Sequence, residues 1–385
     1  MLTFDSETLP EHGQDTLTRK LAALLQQADV RLDGHRPWDV RLLDGDVPAR
    51  VFAQGNLGLG EAYMDGHWDC DQLDVLFHRV LRADLGRQLH PSELLWHHLR
   101  ARLFNLQTVR RAWQVGQAHY DLGNDFYAAM LDPRMTYTCG YWANADTLAQ
   151  AQEDKLELVC RKLGLEPGMR VLDIGCGWGS FMGYAAERYG AECVGVTISK
   201  EQASWARQRY AGLPLEFRLQ DYRAVTGQFD RIVSIGMFEH VGHRNYAEFM
   251  RVAERCLTDD GLFLLHTIGK QAGTGATDPW ISRYIFPNGE IPTLAQISAA
   301  CEGVFVIEDV HNFGADYDRT LMAWHANFAK AWPRFAEQLG ERFGRMWRYY
   351  LLSCAGAFRA RSLQLWQLVL SRHGMEGGYH RPLAS

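Results

Sequence analysis

The chain has 385 residues, of which 47% are hydrophobic and 22% charged, a composition that excludes disordered and fibrous classes. At roughly 100–200 residues per domain, this length suggests two domains. Lys and Arg number 40 against 46 Asp and Glu, a net charge of -6, so no nucleic-acid partner is expected, while a local basic patch for an anionic surface stays compatible.

The chain opens on MLTFDSETLPEHG, acidic and without a long apolar core, so no signal peptide is expected. No run nears the ~20 apolar residues that span a bilayer. Eight cysteines (Cys70, Cys139, Cys160, Cys176, Cys193, Cys256, Cys301 and Cys354) include no CxxC pair. That pattern predicts reduced thiols in a cytoplasmic protein, with no disulfide framework and no metal site.

Residues 1–100 hold short amphipathic pieces broken by turn signals such as Leu43-Asp44-Gly45-Asp46 and the glycine-rich GNLGLGEAYMDG (55–66). They read as a small α+β domain. HPSELLWHHLRARLFNLQTVRRAW (90–113) carries Arg100, Arg102, Arg110 and Arg111 among Leu and Trp residues, with Glu93 as its one acid. A basic amphipathic helix of this kind suits a membrane interface, and equally a linker helix, placed at 101–116, packed on the domain that follows.

From about 165 onward, apolar strands alternate with helices, which predicts a parallel sheet covered on both faces, an α/β class. VLDIG (171–175), CVGVTI (193–198), LEFRL (215–219), DRIVSI (230–235) and GLFLLHTI (261–268) are the strands. Helices are expected over 178–189, over 199–210 with Ser199 as its cap, and near 244–258. In the C-terminal region Trp324, Phe328, Trp332, Phe335, Phe343, Trp347, Tyr349, Tyr350, Phe358 and Trp366 recur at roughly helical spacing, mostly as helix–helix core. Arg342, Arg345, Arg348, Arg359, Arg361 and Arg372 add a basic face for head groups or for solvent.

The first strand runs into Asp173-Ile174-Gly175-Cys176-Gly177-Trp178-Gly179. Glycines there let the backbone turn tightly and approach a ligand at the carboxyl end of the strand. The spacing G-x-G-x-G after an acid looks like the loop of class I S-adenosylmethionine (SAM) methyltransferases rather than a dinucleotide fingerprint. The second strand ends on Thr197 with Gln202 one turn on, so a hydroxyl and an amide stand where many such enzymes place a ribose-binding acid. Asp221, after the third strand, is the candidate acid near the adenine.

AHYDLGNDFYAAMLDPRMTYTCGYW (118–142), VLDIGCGWGSF (171–181), GVTISKEQ (195–202), DRIVSIGMFEHVG (230–242) and DYDRTLMAW (316–324) together resemble the cyclopropane-fatty-acyl-phospholipid synthases. The resemblance covers 117–385, the expected catalytic domain, and the preceding 1–100 becomes a lipid- or membrane-associating domain. It implies a cytoplasmic homodimer, peripheral on the inner membrane face, that carries the SAM methyl to a cis double bond of a phospholipid acyl chain. It further implies a bicarbonate ion held by Cys139, Glu239, His266, Ile268 and Tyr317, with SAM contacts at Tyr137, Thr138, Gly175, Gly177, Gly179, Thr197, Gln202, Asp221 and Tyr222, and Asp173 at the loop. The Ile268 backbone N–H and His266 are expected to donate to the ion. Cys354 is expected to be structural, since the alkene is the nucleophile. Two other readings remain open on the residues alone: a fatty-acyl C-methyltransferase giving branched or methylene chains, and a non-catalytic lipid-binding scaffold.

Overall fold

The computed structural model describes residues 11–88, 123–271 and 278–382; the basic stretch 90–113 and the 101–116 linker lie outside them. Helices α1 (Glu11–Gln27), α2 (Val47–Gln54), α3 (Asn56–Met64) and α4 (Leu73–Arg82) come first, with the two-residue strands β1 (Arg41–Leu42) and β2 (Trp68–Asp69). Then follow α5 (Asn124–Met130), α6 (Leu148–Lys162), β3 (Arg170–Ile174), α7 (Ser180–Tyr189), β4 (Glu192–Thr197), α8 (Lys200–Arg209), β5 (Leu215–Leu219), β6 (Phe229–Ile235), α9 (Tyr246–Cys256) and β7 (Leu257–Gly269). The chain continues through α10 (Pro279–Tyr284), α11 (Leu294–Cys301), β8 (Val306–Asn312), α12 (Ala315–Ala331), α13 (Ala336–Leu339), α14 (Glu341–Arg359) and β9 (Gln364–Ser371).

A seven-stranded sheet in the order β5-β4-β3-β6-β7-β9-β8 forms the centre. Strands β3 to β7 are parallel, as their continuous apolar runs predict. Strand β9 is not: it inserts antiparallel between β7 and β8, pairing His266 with Gln367 and His311 with the same Gln367. Trp366 therefore stands on a strand, not on the helix that its spacing suggested. Every residue of β9 is buried, so neither face carries the polar alternation that marks a strand. The remaining aromatics of that series do lie on α12, α14 and the turn between them, and most are core.

Residues 11–88 are mainly helical, their described pairings being the short β1–β2 ladder and a parallel Leu32–Val40 bridge. Their apolar side chains join one cluster with α10, α12 and α14. Phe77 and Tyr63 meet Tyr349 with ring centroids at 5.1 and 5.5 Å, and Trp280 meets the same ring at 4.5 Å. Two glycines make that approach possible. A Cβ on Gly60 would sit 2.4 Å from the Trp280 ring, and one on Gly356 would sit 2.6 Å from the Asp74 carbonyl oxygen.

Each arginine of the C-terminal basic face has an acceptor within the protein, while Arg342 and Arg361 are also exposed to solvent. Arg345 donates to the Trp68 carbonyl (2.9 Å) and Arg348 to that of Asp71 (3.1 Å). Arg342 pairs with Asp65 (2.9 Å), and Arg359 bridges Asp74 (2.6 Å) and Asp318 (2.8 Å). Arg361 donates to Gln364 (2.6 Å), and Arg372 pairs with Asp259 (2.6 Å) and Glu254 (2.8 Å). Arg342, Arg345, Arg348 and Arg359 thus tie α14 to the α3–α4 region.

Candidate active site

Parallel strands place their carboxyl ends on one rim, and a ligand crevice forms outside that rim. Here the rim opens into a cavity of about 730 Å³ that runs from the glycine loop to α2, α4 and α14. The loop after β3 turns through positive φ at Gly175 (91°) and Gly177 (53°), which favours glycine. Tyr137, Thr138, Asp173, Gly175, Gly177, Thr197, Gln202, Asp221 and Tyr222 all line the cavity. Gly179 is outside its wall: a Cβ there would meet the Phe217 ring at 2.7 Å. Its smallness serves packing behind the loop.

The polar residues of this half are held in place. Thr197 donates its hydroxyl to Gln202 Oε1 (3.2 Å), leaving the Gln202 amide nitrogen turned toward Gly177. Asp221 accepts from the Arg223 backbone N–H (2.9 Å) and guanidinium (3.0 Å). Tyr137 and Tyr350 share a hydroxyl–hydroxyl hydrogen bond of 3.0 Å. Burial raises the Asp173 carboxyl to about 7, against the opposing charge of Lys155. Lys155, itself lowered to about 8 by burial, donates to Thr138 Oγ1 (3.0 Å).

Lys155 lines the cavity and sequence reasoning passed over it. A signal was present: Lys155 and Lys162 are seven residues apart on α6, on the face that buries Ala151, Leu156, Leu158 and Val159. A lysine on the apolar stripe of an amphipathic helix is buried with it.

Glu239 follows β6 and His266 lies near the end of β7, so adjacent strands bring both to the rim. Glu239 Oε1 accepts the Ile268 backbone N–H at 2.6 Å. That N–H was expected to serve the ion. In the structure the nearest buried acceptor, the carboxylate itself, takes it. Burial raises the Glu239 carboxyl to about 7, opposed by the Ile268 N–H and by Thr267. Glu239 Oε2 and His266 Nε2 are buried with no hydrogen-bond partner among the described residues. His266 Nδ1 lies 3.2 Å from the Gln367 amide nitrogen. Burial, with the charges of Lys155 and Lys162, holds the imidazole well below its usual range, hence neutral.

Tyr317, on α12, lines the cavity; its phenol is pushed well above its usual range by burial and by neighbouring Cys139, Glu239 and Tyr137. Cys139 is buried, and its thiol donates to the Gly140 carbonyl (3.2 Å) and accepts from Thr320 (4.0 Å). Cys354 lines the far, apolar part of the cavity, and burial pushes its thiol up to about 12. At that value it stays protonated and unreactive.

The strand order, the glycine loop at the end of β3 and the cavity around it define a class I SAM-dependent methyltransferase. The profile of the mycolic acid cyclopropane synthetase family matches residues 107–368. The cyclopropane-fatty-acyl-phospholipid synthase of Escherichia coli strain K12 is 55% identical over 356 residues, 92% of this chain and 93% of that protein. A probable fatty acid methyltransferase of Pseudomonas putida is 39% identical over 278 residues, 69% of this chain and 70% of that protein. Among solved structures, a mycolic acid cyclopropane synthase complexed with SAH and CTAB is 34% identical, with a TM-score of 0.63 over 68% of this chain and 98% of that one. The chain belongs to the mycolic acid cyclopropane synthetase family and is a SAM-dependent transferase.

Proposed function

We propose that the protein builds cyclopropane rings on the cis double bonds of phospholipid acyl chains, with SAM as the one-carbon donor and bicarbonate as the general base. The observation that carries the reading is the pair of buried, unpartnered polar atoms, Glu239 Oε2 and His266 Nε2, at the rim beside the cofactor loop. Leaving such atoms unpaired costs about 1–3 kcal/mol each, and an anion bearing both a hydroxyl and free oxygens has the complementary groups; Glu239, Ile268 and Tyr317 line the cavity, whereas His266 and Cys139 are outside its wall. When bound, SAM supplies an activated methyl group, and bicarbonate supplies a weak base of one fixed position.

The chain's own residues do the rest. Glu239 accepts a hydroxyl through Oε2 while Ile268 N–H fixes its other oxygen. His266, being neutral, offers one N–H without drawing a proton away from the base. Tyr317, which lines the cavity, and Cys139 complete the proposed set of ion ligands. On the cofactor side Gln202, Asp221 and the glycine loop hold SAM. Tyr137, Tyr317, Tyr350 and Phe358 wall the cavity, where aromatic faces exclude water and tolerate positive charge developing on the acyl chain.

Beyond the loop the wall turns apolar and includes Val51, Leu59, Phe77 and Val80. This supports residues 1–100 as a lipid-associating unit before the 117–385 catalytic unit, here acting as part of the acyl chain's wall. No helix among the described residues is long and apolar enough to cross a membrane. We propose that a homodimer reaches its substrate by peripheral docking on the cytoplasmic membrane face. Replacing His266→Ala or Glu239→Gln is expected to abolish turnover while SAM affinity stays within a few fold. Full turnover in either variant would sink the ion reading.

A further inference from the structure

We infer that Gln367, itself oriented by Lys162, sets the tautomer of His266 and so presents Nε2 as a proton donor to the anion site. This rests on the reading of that site given above, and it names a positioning pair nowhere in contact with substrate. All three side chains are buried, at 1% exposure or less for Lys162, Gln367 and His266.

Lys162 Nζ lies 2.9 Å from Gln367 Oε1 and 3.1 Å from His311 Nδ1, and pairs with the Asp309 carboxylate at 3.8 Å. Burial lowers the Lys162 amine to about 7, opposed by the Asp309 carboxylate; in the ammonium form that Asp309 favours, it carries three N–H donors and accepts nothing. The Gln367 amide must therefore turn its oxygen to Lys162, because the flipped amide would set donor against donor. With the oxygen so placed, Nε2 of Gln367 faces His266 Nδ1 at 3.2 Å. An amide NH2 only donates, so Nδ1 must hold the lone pair. In a neutral imidazole the single proton then sits on Nε2, the atom with no partner among the described residues.

The other tautomer would leave a lone pair on Nε2, aimed at the oxygens of an anion. One glutamine thus decides whether His266 attracts the ion or repels it. Fixing the ring through its second nitrogen is the usual way a protein assigns the role of a histidine. The charge that anchors the arrangement is in turn held by β8: Asp309 also pairs with Arg381 (2.9 Å).

Ring-nitrogen NMR of the histidine-labelled full-length protein tests this without turnover. His266 in the parent is expected to show protonated Nε2 and bare Nδ1. In Gln367→Glu, nearly the same in shape, the acceptor at that place is expected to draw the proton to Nδ1 and leave Nε2 bare. There kcat should fall about 100-fold, with SAM affinity unchanged within about twofold, a split that a loss of folding would not give. A bare Nε2 in the parent, parent-like ring signals in Gln367→Glu, or full turnover with Nε2 bare would each overturn the inference. If instead the tautomers behave as stated but His266→Ala keeps full turnover, it is the anion-site reading that falls.

Discussion

The Glu239→Gln variant is expected to be more stable than the parent as well as inactive. Burial raises the Glu239 carboxyl from 4.5 to about 7, so the folded state holds a proton that the unfolded chain has already released. Stability is therefore lost as pH rises from about 4.5 to 7, and the loss is complete above that window. At 1.36 kcal/mol per pKa unit the carboxylate costs the fold about 3 kcal/mol near pH 8 and under about 1 kcal/mol near pH 5. Glutamine keeps an oxygen for the Ile268 N–H and carries no charge. Unfolding by urea in carbonate-free buffer should thus show Glu239→Gln about 3 kcal/mol more stable near pH 8, with the advantage shrinking toward pH 5. Equal or lower stability near pH 8 would refute the claim that this carboxylate is held in a site built for another group.

Gly356→Ala is expected to cost about 1–3 kcal/mol by driving a methyl into the α4 backbone, seen as a lower thermal midpoint, with turnover falling because α4 walls the cavity. Arg359→Met leaves Asp74 and Asp318 without their cation; for groups this partly exposed the loss should be about 2 kcal/mol, read from the unfolding midpoint. Asp39 accepts from the Arg31 and Arg36 backbone N–H groups and from the Arg36 guanidinium, which hold its carboxyl down at about 2. Asp39→Asn should cost about 2 kcal/mol at neutral pH, a difference that fades as pH falls from about 4 toward 2 because only the parent has that stability to lose. Denaturant titration at several pH values checks the sign.

The parallel half of the sheet was legible because most of its strands are short apolar runs closed by a glycine or a hydroxyl residue, and the loop Gly175–Gly179 follows the first directly. Glu239 and His266 could be placed on one rim by strand logic alone. Strand β9 was not legible, since a segment buried on both faces lacks alternation and Trp366 extended an aromatic series on the preceding helices. The fate of the arginines on α14 depended on packing against α3 and α4, some 280 positions away in the chain (Arg345 and Tyr63 are 282 residues apart), which local pattern does not encode. The same holds for Gln367, which gains its meaning from pairing opposite His266 across β7 and β9.

The most direct measurement is proton NMR of a cis-unsaturated phospholipid recovered from vesicles after incubation with the protein and SAM. Mass does not suffice, because a cyclopropane and a methyl-branched alkene share one formula. The account predicts the strongly shielded ring-methylene signal together with loss of the olefinic protons. A branched or exocyclic alkene would contradict ring closure, and unchanged lipid with SAM bound would contradict the assigned acceptor.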